Sequence, residues 1–225
     1  MGVRVGSSAV AVVMGRKGGD QWGARKPELK QRKVRRKRKT EIVAARQTSL
    51  MFWNGRGILD KVADIHLFLE ERSIAIAGLT ETRVCEENLS AGKWKWISGR
   101  VTIPSLDEDS ATRGIGVFYD TSIVPGTKEV RRGKYTLWVR VPGACQRDLY
   151  VCVAYVPVYS TSAAERTAAW AELREGLDLF RGLGEIVIGG DFNSRCAMNG
   201  DVVCNTSGRQ LLSFCGEEMV IKRGG

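Results

Sequence analysis

The stretch Ile74-Ala75-Ile76-Ala77-Gly78-Leu79 constrains this chain more than any other, because it is wholly apolar and is followed at once by Thr80-Glu81-Thr82. It is too short for a free-standing helix, and too apolar at both odd and even positions for a strand with one wet face. What remains is a strand buried on both faces, which requires layers of other elements above and below it.

The surrounding pattern supplies such layers. Ser49 to Trp53 reads as a strand, and Ile58 to Arg72 repeats Ile58, Leu59, Val62, Ile65 and Leu69 at helical spacing. Lys93 to Ile97, Gly114 to Tyr119, Tyr135 to Val141 and Leu149 to Val156 read as further strands. Ser162-Ala163-Ala164-Glu165 is a capping box, and Trp170, Leu173, Leu177 and Phe180 behind it form one apolar helix face. Glu185 to Gly189 returns to strand, and Ser207 to Gly216 reads as a short helix carrying Leu211, Leu212 and Phe214. No segment repeats. The sum is an α/β domain that mixes buried strands with strand pairs.

Charge divides the chain. Residues 1–47 hold 14 Lys or Arg against 3 Asp or Glu, a net of +11, whereas the other 21 basic and 22 acidic residues net −1. The basic excess therefore says nothing about the domain from residue 48 to 225. The 1–47 segment, rich in Gly, Lys and Arg, buries too little apolar surface to offset its ordering entropy and is read as a disordered basic tail. Its centre, Lys33-Val34-Arg35-Arg36-Lys37-Arg38-Lys39, is a block charge suited to binding DNA or RNA by counterion release, or to nuclear import. A merely solvated tail is the competing reading.

Several classes are excluded. No apolar run reaches the length of a membrane span, so no membrane partner is expected. Ala9 to Met14 has the look of a weak signal-peptide core, but it is short and is followed by Arg16 and Lys17, so secretion is not expected. Cys85, Cys145, Cys152, Cys196, Cys204 and Cys215 contain no Cys-x-x-Cys pair and no nearby histidine, which argues against zinc and against a disulfide framework. A nuclear or otherwise intracellular, reducing setting is expected.

Polar clusters fall at the carboxyl ends of expected strands, where the loops of open α/β sheets converge on ligands. They are Asn54-Gly55-Arg56-Gly57, Thr80-Glu81-Thr82, Tyr155-Val156-Pro157 and Gly189-Gly190-Asp191-Phe192-Asn193-Ser194. Taken singly, each has an ordinary reading: a strand-to-helix turn, a surface glutamate, a packed tyrosine, an Asx turn.

Taken in order, Trp53-Asn54, Glu81-Thr82, Tyr155-x-Pro157 and Gly190-Asp191-Phe192-Asn193 resemble the motif series of the endonuclease/exonuclease/phosphatase superfamily, from about residue 50 to the end of the chain. Within it, Gly190-Asp191-Phe192-Asn193-Ser194-Arg195, the series Asn205-x-x-Gly208-x-x-Leu211-Leu212-x-Phe214-Cys215, and Arg113-Gly114-Ile115-Gly116-Val117 are similar to the apurinic-type endonuclease domains of non-long-terminal-repeat retrotransposons and their domesticated relatives. The resemblance implies a four-layer α/β sandwich, two sheets flanked by helices, incomplete at its C-terminus. It implies that Glu81 coordinates Mg²⁺, with Mn²⁺ as an alternative, and that Asn54 supports that metal and the phosphate. Asp191 is implied to orient or deprotonate the attacking water, Asn193 to donate to a phosphate oxygen, and Tyr155 to donate to the phosphate or stabilise charge on it. The implied activity is nicking of DNA.

The chain departs from that pattern in two ways. Arg56 stands where apurinic-repair relatives carry an acidic residue, and no Ser-Asp-His ending is present. The histidine of that ending pairs with the scissile phosphate in the family, so weak activity is expected from these residues alone. The sole histidine, His66, falls inside the first expected helix and is read as structural or surface. Two alternatives stay open: a non-catalytic nucleic-acid-binding remnant that works through the basic tail, and a phosphatase or sphingomyelinase of the same superfamily.

Overall fold

A computed structural model of the protein describes residues 10–14, 48–84, 88–99, 114–144, 147–158, 160–196, 202–216 and 219–223. Its smaller sheet begins with β2 (Leu50–Asn54), which runs parallel to β3 (Ile76–Thr80). β5 (Ile115–Asp120) lies antiparallel on the far side of β3, and β4 (Trp94–Gly99) closes that edge against β5. The larger sheet has the order β10-β1-β9-β8-β7-β6. Its members are β1 (Val10–Met14), β6 (Lys128–Arg132), β7 (Thr136–Val141), β8 (Leu149–Tyr155), β9 (Glu185–Asp191) and β10 (Met219–Arg223).

Helices cover the outer faces. A short 3-10 turn, Leu59–Lys61, leads into α1 (Val62–Glu71), whose Ile65 and Leu69 pack with Ala77, Leu79, Trp94, Trp96 and Phe118 on the smaller sheet. On the larger sheet lies α2 (Ala163–Phe180), with Phe180 against Trp138 and Tyr150 at ring separations of 5.1 and 4.7 Å. Beside it, α3 (Thr206–Cys215) places Phe214 5.6 Å from Trp170 of α2. The result is a four-layer α/β sandwich. Both faces of β3, β8 and β9 are therefore dry, which is why these strands read as near-continuous apolar runs.

Between the sheets, the period of two along each strand selects the inward residues. Leu50 and Phe52, Ile115 and Val117 face Leu137 and Val139, Val151 and Val153 in one cluster. Phe52 lies in a slot that only glycines leave open. A Cβ on Gly78 of its own sheet would stand 2.6 Å from the Phe52 ring, and one on Gly189 of the opposite sheet 2.4 Å from it.

Most expected elements are present, with ends shifted by one to three residues. The reading of residues 1–47 as one disordered tail is corrected at Val10–Met14, which forms β1 between β9 and β10, parallel to both. Its residues, Val-Ala-Val-Val-Met, are uncharged and mostly β-branched, well suited to a covered strand, but the surrounding charge dominated the composition of the segment. The basic run Lys33 to Lys39 lies outside the described residues, as does Arg113. β6 was not expected, because Lys128-Glu129-Val130-Arg131-Arg132 shows no apolar face. It is an edge strand whose charges are held by Arg132–Glu129 and Arg131–Glu175 pairs, a pattern that also discourages edge-to-edge pairing.

The capping box is half realised. The Ser162 hydroxyl accepts from the Glu165 backbone N–H at 3.2 Å, but the Glu165 carboxylate turns to Lys134 and the Tyr135 hydroxyl instead of back to the cap. His66 stacks on Trp94 at 5.7 Å and meets Phe118 edge-on at 4.8 Å, and burial pushes its pKa below the ordinary value. It belongs to the packing of α1 on its sheet. Among the described residues no helix is long and apolar enough to cross a membrane, and Cys152, Cys196, Cys204 and Cys215 are free thiols.

Candidate active site

The same period of two that builds the interior also delivers its polar end. β2 runs Leu50, Phe52, Asn54 along its inward face, and β3 runs Ile76, Gly78, Thr80. β8 runs Val151, Val153, Tyr155, and β9 runs Val187, Gly189, Asp191. Each series is apolar or glycine until the last inward position, which is polar. Asn54 stands opposite Thr80 in one sheet, and Tyr155 opposite Asp191 in the other. Because the sheets are face to face, the series end at one place.

The Asn54 amide Nδ2–H donates to Asp191 Oδ2 at 2.8 Å, a direct bond between sheets across 137 residues of sequence. The second oxygen, Asp191 Oδ1, accepts from the Asn193 backbone N–H at 3.0 Å. The carboxylate is thus held from two sides and is 5% exposed. Asn193 Nδ2 donates to the Val156 carbonyl at 2.8 Å, which leaves the amide's second N–H for another acceptor. The Val156 N–H returns a bond to the Asp191 carbonyl at 2.9 Å, so the β8 and β9 exits are stitched together.

The third loop is bound to the first. Gly55 N–H donates to the Thr80 carbonyl, Gly57 N–H to the Glu81 carbonyl at 2.7 Å and Ile58 N–H to that of Thr82. Lys61 Nζ then donates to the Gly55 and Gly57 carbonyls at 3.2 and 2.9 Å, which closes the turn from the helix side. Glu81 itself is 9% exposed.

These loops carry backbone strain. Arg56, Glu81, Arg83 and Asn193 have φ values of 47°, 52°, 55° and 45°, the left-handed region in which side chains other than those of Gly, Asn and Asp are disfavoured. Ser73 is the remaining non-glycine residue with positive φ among the described residues. Clustering of such conformations is a mark of functional loops whose geometry the rest of the structure enforces.

No family model matches the sequence, and no curated protein matches it. Solved structures do. The endonuclease domain of TRAS1, a telomere-specific non-LTR retrotransposon, superposes with a TM-score of 0.51 at 16% identity, over 75% of this chain and 69% of that one. This chain shares the fold of that domain. A 3′ phosphatase from Neisseria, NExo, bound to a product DNA hairpin, gives 0.51 at 15% identity over 73% of this chain and 70% of that one. The catalytic domain of Xenopus laevis APE2 gives 0.50 at 17% identity, over 74% and 68%.

On this fold, the structure brings Asn54 and Asp191 into contact, binds Asn193 to the same carboxylate, and sets Tyr155 beside Asp191 in register. Glu81 follows Thr80 directly on the neighbouring exit. Tyr155 takes the packed reading: it is fully buried at the end of β8, between β9 and β7.

Three contributors had no role in the sequence reading. Thr80 is completely buried, and its hydroxyl finds no hydrogen-bond partner among the described residues. Lys61 secures the first turn from a helix start. Asn205 caps α3 by accepting from Gly208 N–H at 2.7 Å, and the same oxygen accepts from Arg195 N–H at 3.0 Å while Nδ2 donates to the Asn193 carbonyl at 3.1 Å. Gly208 is needed there because a Cβ would stand 1.9 Å from the Arg195 carbonyl. Asn205→Ala is expected to cost about 2 kcal/mol, the upper range for a helix cap, because it also releases the Asn193 loop. Urea unfolding measures this, and a loss under about 0.5 kcal/mol would show that the loop holds itself.

The donors fit a magnesium ion. Glu81 offers a carboxylate, Thr80 an unsatisfied hydroxyl and Asn54 an amide oxygen, all hard oxygen atoms of the kind that ion takes. Among the described residues no cluster of three or more His, Cys, Asp or Glu side chains is arranged to hold a metal.

Proposed function

We propose that this chain hydrolyses phosphodiester bonds in DNA with the help of Mg²⁺. The observation that carries the reading is the Asn54–Asp191 hydrogen bond between the two sheets, which fixes a buried carboxylate at the mouth of the sandwich. A carboxylate held by amide donors on both oxygens is set in direction, as a group that must align a water molecule requires.

In the proposed reaction Asp191 accepts a proton from water as the water oxygen forms a bond to phosphorus. The phosphorus–oxygen bond opposite breaks, and the leaving oxygen is protonated from solvent. Asn193, through its second amide N–H, donates to a non-bridging phosphate oxygen. Asn54 keeps the Asp191 carboxylate in line. Tyr155, enclosed beside Asp191, is assigned the support of that carboxylate in place of the direct phosphate contact that the resemblance implied. Glu81, with Thr80 and Asn54, would hold Mg²⁺, which when bound supplies positive charge to the crowded phosphate oxygens.

The test uses the full chain, supercoiled plasmid and Mg²⁺. Open circles should accumulate, and chelation should stop them. Absence of nicking, or release of inorganic phosphate from a 3′-phosphorylated oligonucleotide without any nicking, overturns the endonuclease reading; the second result favours a phosphatase.

A further inference from the structure

The strand ends that carry Tyr155 and Asp191 are tied to the helix behind the larger sheet by one residue, Tyr135, which is 2% exposed. All three of its polar groups are engaged. Its N–H donates to Glu172 Oε1 at 2.9 Å, its hydroxyl donates to the Glu165 carboxylate, and its carbonyl accepts from the Tyr155 N–H at 2.9 Å. Tyr155 stands opposite Asp191 in the register of β8 and β9, and the Val156 N–H donates to the Asp191 carbonyl. A run of bonds therefore leads from a carboxylate on α2 to the strand end that carries Asp191.

Glu172 anchors that run. Besides the Tyr135 N–H, its carboxylate accepts from the Lys134 N–H at 2.9 Å and the Thr136 hydroxyl at 2.7 Å, so it holds three successive residues where β6 turns into β7. Hydrogen bonds to an ionised acceptor are about twice as strong as neutral ones. The turn is shaped around the carboxylate: a Cβ on Gly133 would stand 2.1 Å from Glu172 Oε1. Docking of α2 does not need this charge, since Trp170, Leu173, Leu177 and Phe180 of the same helix are already buried. Glu165, on the same face of α2, takes the Tyr135 hydroxyl and Lys134 Nζ, whereas Glu172 takes the backbone.

We propose that Glu172 is a positioning residue for the reaction. Through Tyr135 it fixes where Tyr155 stands along β8, and through Tyr155 and Val156 it fixes the direction in which the chain leaves β9 at Asp191. The inference rests on the reading of Asp191 as the group that aligns the attacking water. It adds a contributor on a helix that carries none of the site residues. Loss of such support acts on kcat, because it misaligns the carboxylate without removing a contact to DNA, and a displacement of about 1 Å is worth up to roughly 100-fold in rate.

The experiment compares variants of the full chain by initial rates of plasmid nicking at saturating Mg²⁺, over a range of plasmid concentrations and below the thermal transition of each. Glu172→Ala should lower kcat roughly 10–100-fold and leave KM within about twofold. Glu172→Gln keeps an oxygen for the Tyr135 N–H and the Thr136 hydroxyl, and should recover kcat to within about threefold of the unsubstituted chain. Gly133→Ala should reproduce the loss, because its methyl group displaces the flexible carboxylate, and the two losses should not add in the double variant. It also carries the comparison if Glu172→Ala does not fold. Glu175→Ala is the control: it removes a carboxylate of the same helix, paired with Arg131 of the same hairpin, and should leave kcat where it was. Hydrogen exchange without DNA should show the Tyr155 and Val156 N–H groups exchanging roughly tenfold faster in Glu172→Ala, with Val151 and Cys152 unchanged. A kcat loss no larger than that of Glu175→Ala overturns the proposal, as does a Glu172→Gln as slow as Glu172→Ala, or unchanged exchange at Tyr155. If the unsubstituted chain does not nick, the catalytic reading fails instead, and exchange at Tyr155 and Val156 alone decides whether Glu172 holds the Asp191 strand end.

Discussion

Asp191→Asn should reduce plasmid nicking by roughly 10²–10⁴-fold, the range for loss of a positioned proton acceptor. The substitution keeps size and shape, so the loss belongs to chemistry. Asparagine still accepts from the Asn193 N–H on one side, but on the other it offers an N–H toward the Asn54 amide that now donates to Asp191 Oδ2 at 2.8 Å. The clash is relieved if the Asn54 amide turns over, at the expense of the 3.3 Å bond that its oxygen accepts from Arg56 N–H. A small drop in Tm and a large drop in rate are therefore expected together. The check is the initial rate of open-circle formation at saturating Mg²⁺, with the thermal transition recorded on the same sample. Retention of more than about a tenth of the rate would remove Asp191 from the role of proton acceptor.

The second large effect concerns the slot that aligns the sheets. Gly189→Ala would press a methyl group into the Phe52 ring, which is pinned from the other side at Gly78. The ring is not a flexible end that can swing away, so the cost should be about 3 kcal/mol, the top of the range for overpacking. Phe52→Ala leaves a cavity and should cost about 3–5 kcal/mol. Combined, the two changes should cost at least about 1 kcal/mol less than their sum, because the alanine at 189 fills part of the space that the ring leaves. Urea unfolding of all four proteins in the cycle checks this; additivity within about 0.5 kcal/mol would mean that the ring and the glycine do not meet. Phe52 and Asn54 share one face of β2, and Gly189 and Asp191 one face of β9. Gly189→Ala should therefore also slow nicking in the fraction that stays folded, by drawing the two side chains apart.

The same strands show why so much of the fold was legible and some of it was not. β3, β8 and β9 are buried on both faces, and such strands must be written in apolar residues, so their places and the α/β class follow from composition over a few positions. Asn54, Glu81, Tyr155, Asp191 and Asn193 stood out because each falls at or just past the carboxyl end of an expected strand. β6 had no apolar signature, since an edge strand satisfies its charges at the surface. β1 had the signature, but lay within a segment whose composition is dominated by charge. Asn205 belonged to a motif without a visible role; its amide links α3 to the Asn193 loop only once the two are neighbours.

By itself the sequence determined the class of the fold, the order of most of its strands and helices, and the polar residues at the strand ends. Those depend on local periodicity and on the cost of burying a charge or an amide, both of which act within a few residues. Only the tertiary structure decided that the polar ends of four strands from two sheets meet, that Asn54 reaches Asp191, and that Tyr155 is enclosed. It also left the Thr80 hydroxyl without a hydrogen-bond partner among the described residues. Those outcomes depend on which strands become neighbours and on how closely two glycines let the sheets approach, and a single strand carries no information about either.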